Sequence, residues 1–178
     1  AGGGGQRAAL LGTTDSDSPA QFAAMMKAYP DVRRIDLVEV PGTVDDDANL
    51  ALGRMIRKAG LATHVPDQGS VRSGGVELFL AGVERSAAPT AEFAVHSWRD
   101  EDGREAGDLP DSDPVHQAYL AYYRDMGLSA DTARAFYKMT NETPHDQARY
   151  LNADALDDYV SLVKAPTATA PVTLAYAF

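Results

Sequence analysis

Gln68-Gly69-Ser70-Val71-Arg72-Ser73-Gly74-Gly75 decides how this chain is read. An extended apolar run at 61–65 leads into it, and an apolar helical run at 76–82 leads out. Glycines after a serine let the backbone turn sharply and pass close to a substrate, because they carry no Cβ. The helix that follows points its unpaired N–H groups back at the serine, where they would stabilise an oxyanion. Ser73 is therefore a candidate nucleophile. The same residues also fit a plain Ser/Gly turn between two elements, so the rest of the chain has to decide.

Working outward, the segments before and after this stretch alternate in period. Residues 8–12 and 34–40 read as strands, as do 61–65 and 90–95. Between them lie helices. Ser18-Pro19 is a helix-start signal, and the helix it opens ends at Pro30. A second helix runs from Val44 to Gly60 with Asp45, Asp46 and Asp47 in its first turn, where acidic charge complements the dipole. The third follows Ser73. Strand, helix, strand in repetition predicts an α/β chain with a mainly parallel sheet and right-handed crossovers. Ligands in such sheets bind at the carboxyl ends of strands, and Gly42, Ser73 and His96 each fall at one. Residues 99–113 read as a solvated acidic loop whose spacing does not complete a calcium loop. Helices then follow from Pro114 to Gly127 and from Ala130 to Met139, so the C-terminal half is helical. A short helix covers 153–159.

Length and composition bound the rest. The chain has 178 residues, 44% of them apolar, which suits a single globular domain. Residues 1–7 read as a flexible glycine-rich leader, 8–164 as the domain, and 165–178 as a linker with an edge strand or tail. A formal charge of −10 and a pI near 4.7 argue against nucleic acid or an anionic membrane as the main partner. No run approaches a membrane span. The absence of cysteine excludes disulfides, thiolate catalysis and cysteine-type zinc sites. No metal or cofactor is expected.

A serine nucleophile needs a base, and the base needs an orienting group. Of the four histidines, His64 lies within a strand, and His116 and His145 lie on or beside helices. His96 ends the strand that follows the Ser73 helix, which makes it the candidate base. The order of these motifs resembles the ClpP/crotonase superfamily, and within it the ClpP-like serine proteases. Pro41-Gly42-Thr43 resembles the segment that opens the oxyanion-hole helix, Ser73-Gly74-Gly75 the nucleophile turn, and Ala94-Val95-His96 the strand that ends in the catalytic histidine. Residues 114–140 occupy the place of the family's helical handle, and Asp146 falls where the family supplies its acid. Thr43 stands where a second glycine is usual, and Arg72 where a small residue is usual.

The resemblance implies a ClpP/crotonase-like βαβ superhelix and a serine hydrolase of the peptidase kind. Its triad would be Ser73, His96 and Asp146, with Asp113 and Asp154 as alternative acids. Backbone N–H groups of Gly42 or Thr43 and of Gly74 would form the oxyanion hole, and Arg72 and Trp98 would meet a peptide or protein substrate. A homo-oligomer and a periplasmic or secreted location are implied as well. Two other readings use the same frame: a crotonase-like acyl-thioester enzyme without covalent chemistry, and a non-catalytic binding or scaffold protein.

Overall fold

In the computed structural model, residues 6–164 are described. Their centre is strand β2 (Val32–Val40), in which Ile35, Asp36 and Leu37 are buried in succession. Consecutive burial means both faces are covered, as expected of a strand inside a parallel sheet flanked by helices. The buried Asp36 is held by Arg34, at 2.6 Å, and by Arg7, at 3.7 Å. β1 (Gln6–Leu11) runs parallel to β2 along its length. β3 (Ala62–Val65) pairs with Arg34 to Asp36, and β4 (Ser70–Arg72) pairs with Glu39 and Val40. One long strand thus serves two rows: β5 (Arg85–Ala87) extends the β3 row, while β6 (Glu92–Val95) and β7 (Arg149–Leu151) extend the β4 row. Every pairing is parallel except β6 with β7. The sheet is curled and mostly parallel, as the alternation of periods predicts.

Helix α1 (Ser18–Ala28) buries Phe22 and Met25. Asp17 precedes it as N-cap; Ser18, expected in that place, is instead buried and donates through its hydroxyl to Asp15. Helix α2 (Asp46–Lys58) buries Leu50, Leu52 and Ile56, with the Asp45 side chain accepting from Ala48 N–H at its start. α3 (Gly74–Leu80) follows β4, α4 (Pro114–Asp125) packs on α2 and reaches Glu77 of α3 through Tyr122 and Tyr123, and α5 (Ala130–Asn141) packs on α4 with Phe136 against Tyr123. α6 (Ala153–Asp157) is the last helix described. The Tyr122 hydroxyl of α4 passes α2 at Gly53 and donates to the Glu77 carbonyl at 2.6 Å. A Cβ on Gly53 would lie 2.0 Å from that hydroxyl, so the close approach of α4 requires glycine there.

Three expectations need correction. The strand at 61–65 does not carry Ser73. It pairs with β2 and ends, and the separate short strand β4 delivers the serine. β5 and β7 were not anticipated, because three-residue strands have no periodicity to read and exist through their partners. The first strand begins at Gln6 rather than Ala8. The expected tail at 165–178 lies outside the described residues. Among the described residues, no helix is long and apolar enough to cross a membrane.

Candidate active site

Ser73 sits at the carboxyl end of β4 and caps α3 with φ 49° and ψ −127°. This is the geometry of the first central residue of a type II′ turn, a place for glycine. An L-residue held there is strained and persists only where its surroundings over-determine it. They do so here. Ser73 N–H donates to the Ala94 carbonyl of β6 at 2.9 Å, and the Ser73 carbonyl accepts from Val76 N–H. Gly42, just past the end of β2, lies against the serine: a Cβ built on it would stand 3.2 Å from Ser73 Cβ and 3.6 Å from Oγ. Gly42 also has φ +142°, which disfavours any side chain. Its carbonyl accepts from Thr14 N–H, and Thr43 Oγ1 donates to the Thr14 carbonyl, so the loop after β2 is pinned to the loop after β1. The buried Asn49 of α2 donates to the Gly74 carbonyl at 2.8 Å and accepts from Thr14 Oγ1 at 2.9 Å. The two loops beside Ser73 are thereby fixed to each other.

β6 lies next to β4, with Arg72 opposite Ala94, so the residue after β6 emerges beside the serine. That residue is His96. It is half-buried and lines the same cavity of about 190 Å³ as Ser73. Among the described residues no hydrogen bond joins Ser73 Oγ to His96. His96 Nδ1 is 2.8 Å from the Ser97 carbonyl. A carbonyl only accepts, so this contact puts the proton on Nδ1 and leaves Nε2 with its lone pair. The Ser97 carbonyl also lies 3.0 Å from His145 Nδ1, and the two imidazoles meet edge to face with centroids 4.6 Å apart. Further bonds hold the three loops together: Ser97 N–H donates to the Thr143 carbonyl, and His145 N–H donates to the Glu105 carboxylate.

Thr43, Gly74 and Trp98 line this cavity with Ser73 and His96. Three of the expected site residues do not: Gly42, which backs Ser73 from outside the cavity, Asp146 and Arg72. Asp146 is exposed, and among the described residues no hydrogen bond joins it to His96; its neighbour His145 faces the site instead. Arg72 is drawn away by Glu39, at 2.6 Å, and by Ser70 Oγ, at 2.7 Å. The alternative acids serve elsewhere, Asp113 as the N-cap of α4 and Asp154 on the exposed start of α6. His64 is buried against Ser86, and His116 is buried with Nδ1 2.9 Å from the Tyr137 hydroxyl.

The sequence reading missed the acidic wall of the cavity. Glu77, one turn after Ser73 in α3, accepts from the Tyr123 hydroxyl at 2.9 Å. Enclosure by protein pushes its carboxyl up to about 7. Asp46 stands at the mouth, open to water on one side, and its pKa is raised by desolvation and then by Asp47 and Asp45. Trp98 and Tyr119 stack at 6.4 Å with planes 1° apart, and Trp98 Nε1 donates to the Tyr137 hydroxyl. The signal for Glu77 was its place one turn into the helix that Ser73 opens.

No protein-family model matches the sequence, and no curated protein matches it. Solved structures do. A mutant of the 1510-N membrane-bound stomatin-specific protease aligns with a TM-score of 0.56 at 15% identity, covering 89% of this chain and 79% of that one. A second mutant of that protease, in complex with a substrate peptide, gives 0.53 at 14% identity, over 89% of this chain and 75% of that one. A mutant ClpP1 from Listeria monocytogenes gives 0.56 at 16% identity, over 89% and 90%. The fold is ClpP-like. At these identities the likeness carries the fold, and the ClpP-like chemistry has to be argued from this chain's own residues.

Proposed function

We propose that the chain is a serine peptidase with a Ser73–His96 dyad. Ser73 Oγ attacks the substrate carbonyl, and His96 Nε2 takes the hydroxyl proton and returns it to the leaving amine. The Ser97 carbonyl holds the Nδ1–H tautomer, the task expected of Asp146. His145 is a positioning residue that packs edge-on against the His96 ring. Backbone N–H groups of Gly42 or Thr43 and of Gly74 receive the oxyanion. Contact between Ser73 and His96 closes on substrate binding, as catalytic hydrogen bonds often do.

The observation that carries this reading is the backbone of Ser73. A strained serine is pressed against a glycine with positive φ and faces a cavity that a histidine from the next strand also lines. A plain turn has no use for that strain. The peptide-bound structural neighbour supports a peptide as the substrate class. A fluorophosphonate probe followed by peptide mapping tests it. The wild-type chain is expected to be labelled at Ser73, with labelling lost in Ser73→Ala and strongly reduced in His96→Ala. Labelling that survives Ser73→Ala, or a wild type that takes no label, would refute the assignment.

A further inference from the structure

Glu77 and Asp46 have no task in the dyad, yet both face the cavity that Ser73 opens onto. We propose that they make this cavity a subsite for a cationic side chain, so that the preferred substrate carries lysine or arginine at the residue whose carbonyl Ser73 attacks. The inference rests on the serine peptidase reading.

Three observations carry it. First, among the described residues neither Glu77 nor Asp46 is ion-paired, and Glu77 is enclosed against α4, its carboxylate accepting from the Tyr123 hydroxyl. A carboxyl enclosed without a counter-charge is costly, and a cationic ligand removes the cost. Second, the remaining walls suit a cation. Trp98 and Tyr119 present stacked rings, and aromatic faces attract ammonium and guanidinium groups. Arg99 is the one lysine or arginine that lines the cavity, and it is exposed. Third, about 190 Å³ fits one long side chain and is small for a larger ligand. Glu77 lies one turn beyond Ser73, so a side chain entering beside the scissile carbonyl runs toward its carboxyl. The chain's net charge of −10 steers cations the same way.

Trp98 is the only tryptophan in the chain, so its fluorescence reports occupancy of this cavity directly. The test titrates the full chain with agmatine and with pentanamide, a neutral compound of similar length, while parallel samples are labelled with the fluorophosphonate probe. Agmatine is expected to bind at least about tenfold more tightly than pentanamide. Glu77→Gln, which keeps the shape and a hydrogen-bond acceptor for Tyr123, is expected to reduce that ratio about tenfold, and Asp46→Asn to reduce it by a smaller factor. Equal binding of the two compounds, or a ratio unchanged in both variants, would overturn the subsite. Loss of labelling with the agmatine preference intact would instead remove the peptidase reading, so the two failures are distinguishable.

Discussion

Replacing Ser73 by glycine should make the protein more stable while abolishing its chemistry. At φ 49° and ψ −127° the Ser73 backbone lies where a Cβ is penalised. Strain of this kind costs about 1–3 kcal/mol. Ser73→Ala removes the hydroxyl and keeps the Cβ, whereas Ser73→Gly removes both, so their difference isolates the strain. Glycine gives back part of the gain, about 0.5–1 kcal/mol, through the greater freedom of its unfolded chain. The net expectation is that Ser73→Gly exceeds Ser73→Ala by about 1 kcal/mol, or roughly 2–4 °C in Tm for a chain of this size. Urea denaturation and calorimetry measure it, and neither variant should take the fluorophosphonate label. Gln68, at φ 59°, is a control away from the cavity: Gln68→Gly should gain stability too, with labelling intact. An alanine variant as stable as the glycine variant would show that no strain is stored at the nucleophile, and the main support for its role would go.

Two other perturbations follow from buried contacts. Glu77 holds its proton in the folded chain up to about pH 7, whereas the free side chain loses it near 4.5. Between those values the folded state binds more protons than the unfolded one, so stability falls as pH rises, by about 3 kcal/mol in all. Glu77→Gln should flatten that slope in denaturation curves taken from pH 4.5 to 7.5, and an unchanged slope would contradict the enclosure of this carboxyl. Gly53→Ala should cost about 2–4 kcal/mol. The new Cβ, 2.0 Å from the Tyr122 hydroxyl, displaces it from the Glu77 carbonyl, which outweighs alanine's better helix propensity. A urea midpoint at or above wild type would refute that packing.

The sequence carried much of this arrangement because hydrophobic period and turn chemistry are local. The β2–α2 unit was legible from Arg34 to Gly60: an apolar run, Pro41-Gly42 as a break, then an amphipathic helix with acids at its start. That Ser73 and His96 line one cavity was legible because a parallel sheet brings successive strand ends to one edge. What was hidden depended on partners distant in sequence. β4 is three residues embedded in a Gly/Ser stretch and becomes a strand only between β2 and β6. The choice between His145 and Asp146 is one residue wide. It is made by Ser97 N–H on the Thr143 carbonyl and Glu105 on His145 N–H, contacts that no local pattern encodes. Asp46 was assigned to the helix dipole and Glu77 to nothing, because their surroundings come from Tyr119 and Tyr123 of α4.

Under the proposed serine peptidase reading, a carboxyl in the cavity that Ser73 opens onto poses a problem that its environment resolves. Ionised, Glu77 would oppose the negative charge that develops when Ser73 attacks. Enclosure by protein, helped by the nearby Asp46, keeps it protonated up to about pH 7, so below that it presents little charge to the serine. A cationic side chain entering the cavity draws the proton off Glu77, and the pair it forms is again close to neutral. In either state the field of Glu77 at the oxyanion stays small. Glu77 exposes the oxyanion to an unbalanced carboxylate only when it is ionised with an uncharged side chain in the cavity. The cation therefore acts beyond added affinity: above neutral pH it removes a charge that would raise the barrier. That is a discrimination made in the transition state rather than in binding alone. Its physical origin is that Tyr123 and Tyr119 close the cavity around the acid.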